Sequence, residues 1–238
     1  MTYITDTGER ILLEKESPLM IARHLCAYRF VKDFVCGKTV LDIGCGEGYG
    51  NHYLAGFAKE VVGIDYDKAI IDYAKNKYRI DNLIFYAVDI KELNSIRNKF
   101  DIVCSFQVIE HFQDRGVFLE NIKPLLNPDG IFICSTPNKL DASPNSDTPL
   151  NRFHVKEYLI NEFKELLGTH FNKVEVFGLK RGKRLNFCRR LKKIGLFNFL
   201  PDYINPVKRF YERIGCDSFI IVKNNLDTAL DFIAVCSK

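Results

Sequence analysis

A glycine-rich stretch directly after an apolar run is the first feature of this sequence with a chemical meaning. In "TVLDIGCGEGYG", the β-branched and apolar residues before Gly44 are typical of a buried strand. Gly44, Gly46, Gly48 and Gly50 then leave the main chain bare, which lets a ligand approach the backbone closely. The pattern indicates a site for a nucleotide-bearing ligand at the end of a strand.

The spacing of these glycines separates two kinds of nucleotide site in part. A dinucleotide fingerprint requires G-x-G-x-x-G, whereas the sixth position counted from Gly44 is Tyr49. The observed G-x-G-x-G pattern follows Asp42 and disfavours a nicotinamide oxidoreductase. Asp65, at the end of "VVGID", supplies a carboxylate for a ribose diol in either kind of site. The alternative role for Asp65 is to cap the helix that begins near Lys68.

A second group of side chains can perform acid–base chemistry. "QVIEHF" places Gln107, Glu110 and His111 just beyond a predicted strand, and "NRFHVKEY" places His154 after a polar loop. Carboxylates and imidazoles can take a proton from a hydroxyl nucleophile. We expect Glu110, His111 and His154 to meet where that nucleophile binds. The alternative is that Glu110 and His111 begin a helix at the surface, while His154 caps a helix of its own.

The elements that must position these residues alternate between strands and helices. Helices are predicted from Pro18, after the N-cap Ser17, to about residue 34, and from near Tyr49, Asp67 and Asp114. Strands are predicted at 39–43, 60–65, 83–88, 100–106 and 130–136. This order predicts an α/β doubly wound, mostly parallel sheet with its site at the carboxyl ends of the strands.

The last third of the chain departs from that alternation. After the polar loop, a helix is predicted at about 154–167 and a strand at 173–177. A basic segment follows, and the sequence closes on the apolar run "ALDFIAVCSK". Periodicity does not decide whether "SFIIV" at 218–222 is a further strand or packs within an insertion.

The composition is that of a folded globular domain, with 238 residues of which 47% are hydrophobic and 27% charged. The segment "MTYITDTGER" lacks the pattern of a secretory signal, and no apolar run reaches the roughly 20 residues of a membrane span. The eight cysteines form no C-x-x-C pair, which favours reduced thiols. We therefore expect a cytoplasmic protein.

Positive charge is concentrated in residues 179–213. Eleven of the 34 Lys and Arg residues lie there against two acids, so this segment carries +9 and the remainder −5. Three interpretations stay open: a solvated helical insertion, a grip on a phosphorylated, nucleotide-linked or lipid-linked acceptor, and a contact with an anionic membrane surface or RNA. Nucleic acid is disfavoured, because the segment matches no RNA-binding module.

Five successive motifs resemble those of the class I S-adenosylmethionine-dependent methyltransferases. In order, they are "VLDIGCGEGYG", "VVGIDYD", "AVDI", "FDIVCSFQVIEHF" and "LLNPDGIFICSTPN", and the likeness covers about residues 35–177. The resemblance implies a Rossmann-like sheet of seven strands whose last strand runs antiparallel to the rest. The strand at 173–177 and the closing apolar run fit the two strands at that edge.

The resemblance also assigns residues to S-adenosylmethionine. They are Asp42 near the ammonium group, Gly44, Gly46 and Gly48 at the methionine moiety, Asp65 at both ribose hydroxyls, Tyr66 beside the adenine, Asp89 and its neighbour Ile90 at the adenine amino group, and Phe106 near the amino-acid end. A cationic sulfonium ligand that carries an ammonium favours such an acidic, partly desolvated cleft. Taken alone, Asp89 would equally well be a turn residue.

The acid–base segment resembles two subgroups of this family. Ubiquinone-biosynthesis O-methyltransferases and small-RNA 2′-O-methyltransferases carry an E-x-x-E-H pattern there and a later histidine. In the RNA enzymes these side chains bind a divalent cation, which implies a site for a cation such as Mg²⁺ at Gln107, Glu110, His111 and His154. Gln107 replaces the first glutamate and removes a charge, so affinity for a hard cation falls and catalysis without metal is the alternative.

A softer resemblance concerns the acceptor. "TGER", "RHLCAYRF", "STPN" and "NRFHVKEY" are similar to segments of methyltransferases of surface-glycan synthesis. They imply transfer to a hydroxyl of a sugar, glycan or other small molecule. Arg10 or Arg23 would then reach the cofactor carboxylate or a substrate phosphate, or would instead lie in a surface salt bridge. The alternatives are an RNA 2′-hydroxyl, N- or C-methylation, and a non-catalytic partner subunit that only binds the cofactor.

These expectations define one domain over 1–238. We predict an N-terminal helical cap at 1–36 and a cofactor-binding core at 37–179 that includes an acceptor loop at 137–153. A basic insertion at 180–216 and a final strand within 217–238 complete it.

Overall fold

The computed structural model describes residues 12–238, and within them eight strands form one mixed sheet. The strands are β1 (Thr39–Ile43), β2 (Glu60–Asp65), β3 (Leu83–Ala87), β4 (Phe100–Phe106), β5 (Leu126–Pro137), β6 (Lys173–Arg181), β7 (Phe219–Val222) and β8 (Asp231–Ser237). Their order across the sheet is β3-β2-β1-β4-β5-β8-β6-β7. The predicted α/β, mostly parallel class is confirmed.

The chain changes direction across the sheet between β1 and β4. β1 pairs in parallel with β2 on one side and with β4 on the other. β3 and β5 extend these two halves outward, also in parallel. At such a switch point the loops after adjacent strands leave in opposite directions, which opens a crevice at the carboxyl ends of the strands.

The edge of the sheet beyond β5 contains antiparallel pairs, as expected. The whole sheet has eight strands, one more than the seven expected. β8 lies between β5 and β6 and runs antiparallel to both. β6 continues to Arg181, four residues past the predicted end, and this extension pairs with Phe219–Val222. "FIIV" within this stretch is therefore a strand, because the longer β6 offers it an unpaired edge, whereas Ser218 ends a short 3₁₀ helix.

Eight α-helices accompany the sheet within the described residues. They are α1 (Pro18–Val35), α2 (Tyr49–Ala55), α3 (Lys68–Lys77), α4 (Arg115–Ile122), α5 (Lys139–Ala142), α6 (Ile160–Gly168), α7 (Lys183–Ile194) and α8 (Pro206–Glu212). The side chains of Ser17, Asp67 and Asp114 accept hydrogen bonds from the first turns of α1, α3 and α4. These helix starts agree with the sequence patterns.

One predicted helix start is wrong. The helix predicted from His154 begins instead at Ile160, after the N-cap Leu159. The backbone nitrogens of Val155 and Lys156 donate to the carbonyl of Glu110, at 2.8 and 3.1 Å. These contacts, and the one in which the carbonyl of Tyr158 accepts from Lys139 at 3.0 Å, hold residues 155–158 against other segments, and the helix begins after them.

The core lies on both faces of the sheet. Along β1, Val40 packs with side chains of α1, α2 and α3, whereas Leu41 packs with side chains of α4 and α6. The eight cysteines are free thiols, and six of them are buried. A third cluster, which includes Leu185 of α7 and Ala22 of α1, attaches the basic insertion to the N-terminal helix. Among the described residues, each helix is too short or too polar to cross a bilayer.

Candidate active site

A cavity of about 550 Å³ opens at the carboxyl ends of β1, β2 and β4. Its walls come from the glycine loop after β1, the residues that follow β2, β3 and β4, α1, and the segment 151–157. This volume is ordinary for a pocket that encloses a small-molecule ligand. Eleven residues that the sequence assigns to a site line it: Gly44, Gly46, Asp65, Tyr66, Asp89, Ile90, Phe106, Gln107, Glu110, His111 and His154.

The glycine loop has a left-handed backbone at each of its three central glycines, with φ of +78° at Gly44, +54° at Gly46 and +84° at Gly48. A Cβ at Gly44 would lie 2.5 Å from a methyl of Val108, whereas one at Gly46 would meet no atom within 4 Å. Gly46 therefore presents bare backbone to the cavity. Gly48 does not line the cavity; it precedes α2 and packs against the ring of Phe85.

Asp65 joins the glycine loop to the end of β2. Its carboxylate accepts hydrogen bonds from the backbone nitrogens of Gly46 at 3.1 Å and of Asp67 at 3.0 Å. The helix cap suggested as its alternative role belongs to Asp67, whose Oδ1 accepts from Ala69 at 2.8 Å. Asp65 is thereby held at the cavity wall, where a ribose diol would meet it.

Asp89 lies where both of its expected roles, in a turn and at the cavity wall, are possible. Its Oδ1 accepts from the backbone nitrogen of Lys91 at 2.9 Å, which caps the short 3₁₀ helix Ile90–Ser95. It also lines the cavity, together with Ile90 and the exposed ring of Tyr66. The contacts of these residues with adenine stay predictions.

Asp42 lies behind the wall of the cavity and does not line it, contrary to expectation. The wall at this point includes Tyr28 of α1, whose hydroxyl donates to Oδ2 of Asp42 at 2.9 Å. Burial raises the pKa of the Asp42 carboxyl to about 7. Because β1 is a central strand packed on both faces, a side chain within it is covered by a neighbouring helix.

Glu110, His111 and His154 converge, as predicted. One potential ligand atom from each lies within 4.8 Å of the other two. Glu110 is fully buried, so it does not belong to a surface pair at a helix start. Thr136 donates to its Oε2 at 3.2 Å, and burial raises the pKa of this carboxyl to about 8.

The two histidines present defined nitrogens to this cluster. Nδ1 of His111 lies 2.9 Å from the carbonyl oxygen of Phe153, and Nδ1 of His154 lies 2.7 Å from Oε1 of Glu157. Both partners accept hydrogen bonds, so each Nδ1 carries the proton and each Nε2 is the basic nitrogen. The rings meet edge to face with centroids 5.1 Å apart.

Gln107 lies in the same cavity, but its amide nitrogen is directed elsewhere. Nε2 donates to Oγ of Ser135 at 3.2 Å and lies 3.5 Å from Oδ1 of Asp231. Its backbone has a φ of +56°, which is unusual for a residue other than glycine. The carboxamide is thus tied to β5 and β8, and its assignment as a metal ligand stays a prediction.

Of α1, the sequence patterns suggest only Arg23 as a site residue, whereas Met20, His24 and Tyr28 also line the cavity. Arg23 is held by both oxygens of Asp231, at 2.6 and 2.7 Å, so the salt-bridge alternative applies to it, although the bridge is buried. Burial lowers the pKa of His24 to about 4, which keeps it neutral. No local pattern links Arg23 to Asp231, since 208 residues separate them. Arg10 lies outside the described residues.

The chain belongs to the class I S-adenosylmethionine-dependent methyltransferases. Residues 35–176 match the family described as "Methyltransferase domain". A protein of Mycolicibacterium smegmatis named "Probable S-adenosylmethionine-dependent methyltransferase" is 39% identical over 172 residues, which are 71% of this chain and 65% of that protein. The chain thus spans less than two thirds of the length of this relative.

A second relative and a solved structure are also similar to this chain, at lower sequence identity. The ubiquinone biosynthesis O-methyltransferase of Coxiella burnetii is 34% identical over 136 residues, which are 56% of this chain and 55% of that enzyme. The structure of an S-adenosylmethionine-dependent methyltransferase from Archaeoglobus fulgidus superimposes with a TM-score of 0.61 at 18% identity, covering 94% of this chain and 96% of that one. This last likeness shows the shared fold.

The cavity fits S-adenosylmethionine, the methyl donor of this family. Gly46 offers open space beside bare backbone, where a methionine moiety can lie against the main chain. The carboxylates of Asp65 and Asp89 follow adjacent parallel strands, and both line the cavity, where they can accept hydrogen bonds from a ligand.

Proposed function

We propose that this chain is an O-methyltransferase that transfers the methyl group of S-adenosylmethionine to a hydroxyl of a sugar, glycan or other small-molecule acceptor. One observation carries the proposal. The acid–base cluster of Glu110, His111 and His154 lines the same cavity as Gly46 and Asp65. A hydroxyl bound beside the cluster would thus face the cofactor loop.

The reaction needs the acceptor oxygen to lie in line with the bond that breaks. The new bond joins that oxygen to the methyl carbon, the carbon–sulfur bond breaks, and its electron pair stays on sulfur. Positioning of the two reactants supplies much of the acceleration of such a displacement. The enclosing walls from α1 and from segment 151–157 would hold the acceptor in this position.

The hydroxyl proton passes to an imidazole of the cluster. The hydrogen bonds from Nδ1 of His111 to Phe153 and from Nδ1 of His154 to Glu157 leave Nε2 as the acceptor nitrogen in each ring. Asn151 donates to Nε2 of His154 at 2.9 Å, so an acceptor hydroxyl that uses this lone pair would displace the Asn151 amide. A histidine base has a pKa suited to this work near neutral pH.

The same cluster is a candidate site for a divalent cation. Glu110 Oε1 is buried and has no hydrogen-bond partner among residues 12–238. A cation held by Glu110, His111 and His154 would lower the pKa of an acceptor hydroxyl bound to it. One carboxylate and two imidazoles suit manganese, iron or zinc better than Mg²⁺, which prefers oxygen ligands.

The relatives support the choice of a hydroxyl acceptor only in general terms. One of them is named a ubiquinone biosynthesis O-methyltransferase. A relative that is similar over 136 residues is thus named as an enzyme that methylates oxygen. The choice of a sugar or glycan rests on the softer likeness of "NRFHVKEY" and the other segments quoted above.

Replacing the histidine at 154 tests the proposal. The variant His154→Ala is expected to lose methyl transfer by about 100-fold or more, because a positioned base contributes that much. Its affinity for S-adenosylmethionine, measured by calorimetry, should stay unchanged. His52→Ala, on the exposed surface of α2, is the matched control and should retain both properties. Unchanged methyl transfer by His154→Ala would contradict the proposed role.

A further inference from the structure

The segment that comprises α7 and the residues up to α8 exposes large apolar side chains to solvent. Phe199 is 79% exposed, Tyr203 is 77% exposed and Phe187 is 61% exposed. Further exposed members of this segment are Ile194, Leu196 and Ile204. Six such residues lie within 18 positions. Single exposed apolar residues are normal on a protein surface, but such a concentration indicates an interaction site.

Helix α7 carries two of these residues, Phe187 and Ile194, on a side away from its buried residues. Leu185 and Cys188 are its buried residues, and Leu185 packs in the cluster that includes α1. Phe187 and Ile194 are seven positions apart, so they lie two turns from each other on one face. That face is offset from Leu185 and Cys188, and both of its apolar side chains are mostly exposed. The helix therefore has a second apolar face without a partner in the described chain.

The segment with the exposed apolar residues is also rich in cations. Residues 183–205 contain six Lys and Arg residues and one acid, Asp202. Arg189, Arg190 and Lys193 are exposed on α7 itself. Between α7 and α8 lies a small cleft whose walls include Arg184, Arg209, Arg213 and one carboxylate, Asp217. The surface thus combines apolar side chains with a strong positive charge.

We propose that α7 and the segment up to α8 bind the surface of an anionic lipid bilayer. A helix with Lys and Arg beside Phe, Leu and Ile lies in the interfacial plane, with its apolar side chains among the acyl chains. Long cationic side chains reach the headgroups while their stems remain in the apolar layer. The charge of the segment is complementary to anionic headgroups, which attract polybasic segments near the surface.

The aliphatic residues favour a bilayer over RNA. RNA and DNA bind to cations and to aromatic rings that stack on bases, whereas exposed aliphatic side chains make no favourable contact with phosphates. Ile194, Leu196 and Ile204 would remain in water on a nucleic acid, whereas a bilayer would bury them.

The proposed bilayer-binding segment follows the same end of the sheet as the cavity, which is the end where the parallel strands have their carboxyl termini. β6 runs parallel to β5, since both pair antiparallel with β8, and α7 follows the carboxyl end of β6. Arg181, at that end, bonds to Asp141 of α5 at 3.0 Å. The base of the basic insertion is thereby fixed to the polar loop beside the cavity. This inference goes beyond the proposed function and does not depend on it.

Vesicle co-sedimentation tests the inference. The full chain is mixed with vesicles of phosphatidylcholine alone, or with roughly 30% phosphatidylglycerol, at about 0.1 M salt. We expect binding to the anionic vesicles only. The variants Phe187→Ser with Phe199→Ser, and Arg189, Arg190, Lys192 and Lys193 changed to Gln, should each weaken binding, the charge variant by about 100-fold.

The control variants remove exposed apolar side chains and exposed cations from other parts of the surface. Val117→Ser with Ile80→Ser, and Lys59, Arg97, Lys99 and Lys164 changed to Gln, should leave vesicle binding within about twofold of the unchanged chain. Circular dichroism of each variant confirms folding. The inference would be overturned by no binding to anionic vesicles, by equal loss in the control variants, or by binding to RNA in place of vesicles. The inference would also be overturned if the chain did not bind vesicles but formed a dimer, and if the double variant Phe187→Ser with Phe199→Ser dissociated that dimer.

Discussion

Nδ1 of His154 lies 2.7 Å from Oε1 of Glu157, and both side chains are largely enclosed by protein. Glu157 itself lines the cavity beside the cluster. A carboxylate that accepts from one imidazole nitrogen fixes the ring orientation and increases the basicity of the other nitrogen. Glu157 is therefore a positioning residue for His154.

Changing Glu157 to Gln should reduce methyl transfer while leaving the cofactor site intact. The amide no longer carries the negative charge that favours a basic His154, and loss of such a partner typically costs about 10- to 100-fold in activity. The decrease should lie in kcat, with the affinity for S-adenosylmethionine unchanged by calorimetry. Glu165→Gln, on the exposed face of α6, is the control. An unchanged kcat in Glu157→Gln would show that this hydrogen bond is only structural.

Two glycines separate the effect of backbone strain from the effect of filling the cavity. Gly46 and Gly37 have φ of +54° and +68°, and a Cβ on either would meet no atom within 4 Å. Gly46→Ala and Gly37→Ala should therefore destabilise the fold equally, by about 1 kcal/mol, in thermal unfolding. Only Gly46 lines the cavity, so only Gly46→Ala should weaken cofactor binding, by about tenfold or more. Equal cofactor affinities for the two variants would place the methionine moiety elsewhere.

The buried carboxyl of Asp42 makes stability depend on pH. Its pKa is raised from 3.8 to about 7, so between these values the folded protein holds a proton that the unfolded chain releases. The contribution of Asp42 to stability is therefore present below about pH 4 and is lost as the pH rises to about 7. Asp42→Asn can still accept from Tyr28 but does not titrate. Its melting temperature should gain on the unchanged chain between about pH 5 and about pH 7.

Asp101 provides a comparison of opposite sign. Hydrogen bonds from the backbone of Thr39 and from Asn127 lower the pKa of its carboxyl. Asp101→Asn should therefore lose stability relative to the unchanged chain as the pH rises from acid to neutral. If both variants changed in the same direction, the burial of Asp42 would not be the cause of its behaviour.

Divalent cations should stabilise the chain through the acid–base cluster. Manganese or zinc is expected to raise the melting temperature of the unchanged chain, and a chelator should reverse the increase. His111→Ala should abolish this response, because it removes one of three converging ligand atoms. His52→Ala, exposed on α2, should preserve it. A response that persists in His111→Ala would locate the cation elsewhere.

The sequence predicts the cofactor half of the cavity well because its signals are local. Gly44, Gly46 and Asp65 each lie at the end of a strand whose apolar pattern is clear. The parallel order of the strands then brings those ends to one edge of the sheet. Asp42 is the exception, since only the packing of Tyr28 of α1 shows that it lies behind the wall.

The other half of the cavity depends on contacts between distant segments. His154 joins Glu110 because the backbone of residues 155 and 156 bonds to the carbonyl of Glu110, not because a helix begins there. The Arg23–Asp231 bridge and the strand Phe219–Val222 likewise depend on the late part of the chain returning to the sheet. Periodicity describes one segment at a time, so it does not reveal such pairings.

The most direct test of the proposed activity is transfer of a labelled methyl group. The purified chain is incubated with methyl-labelled S-adenosylmethionine and with cell extract separated into polysaccharide, lipid, RNA and small-molecule fractions. We expect label in a glycan, lipid-linked or small-molecule fraction, in a form with the chemical stability of a methyl ether, and we expect His154→Ala to lose this label. Label confined to RNA, or no label from a protein that still binds S-adenosylmethionine, would contradict it.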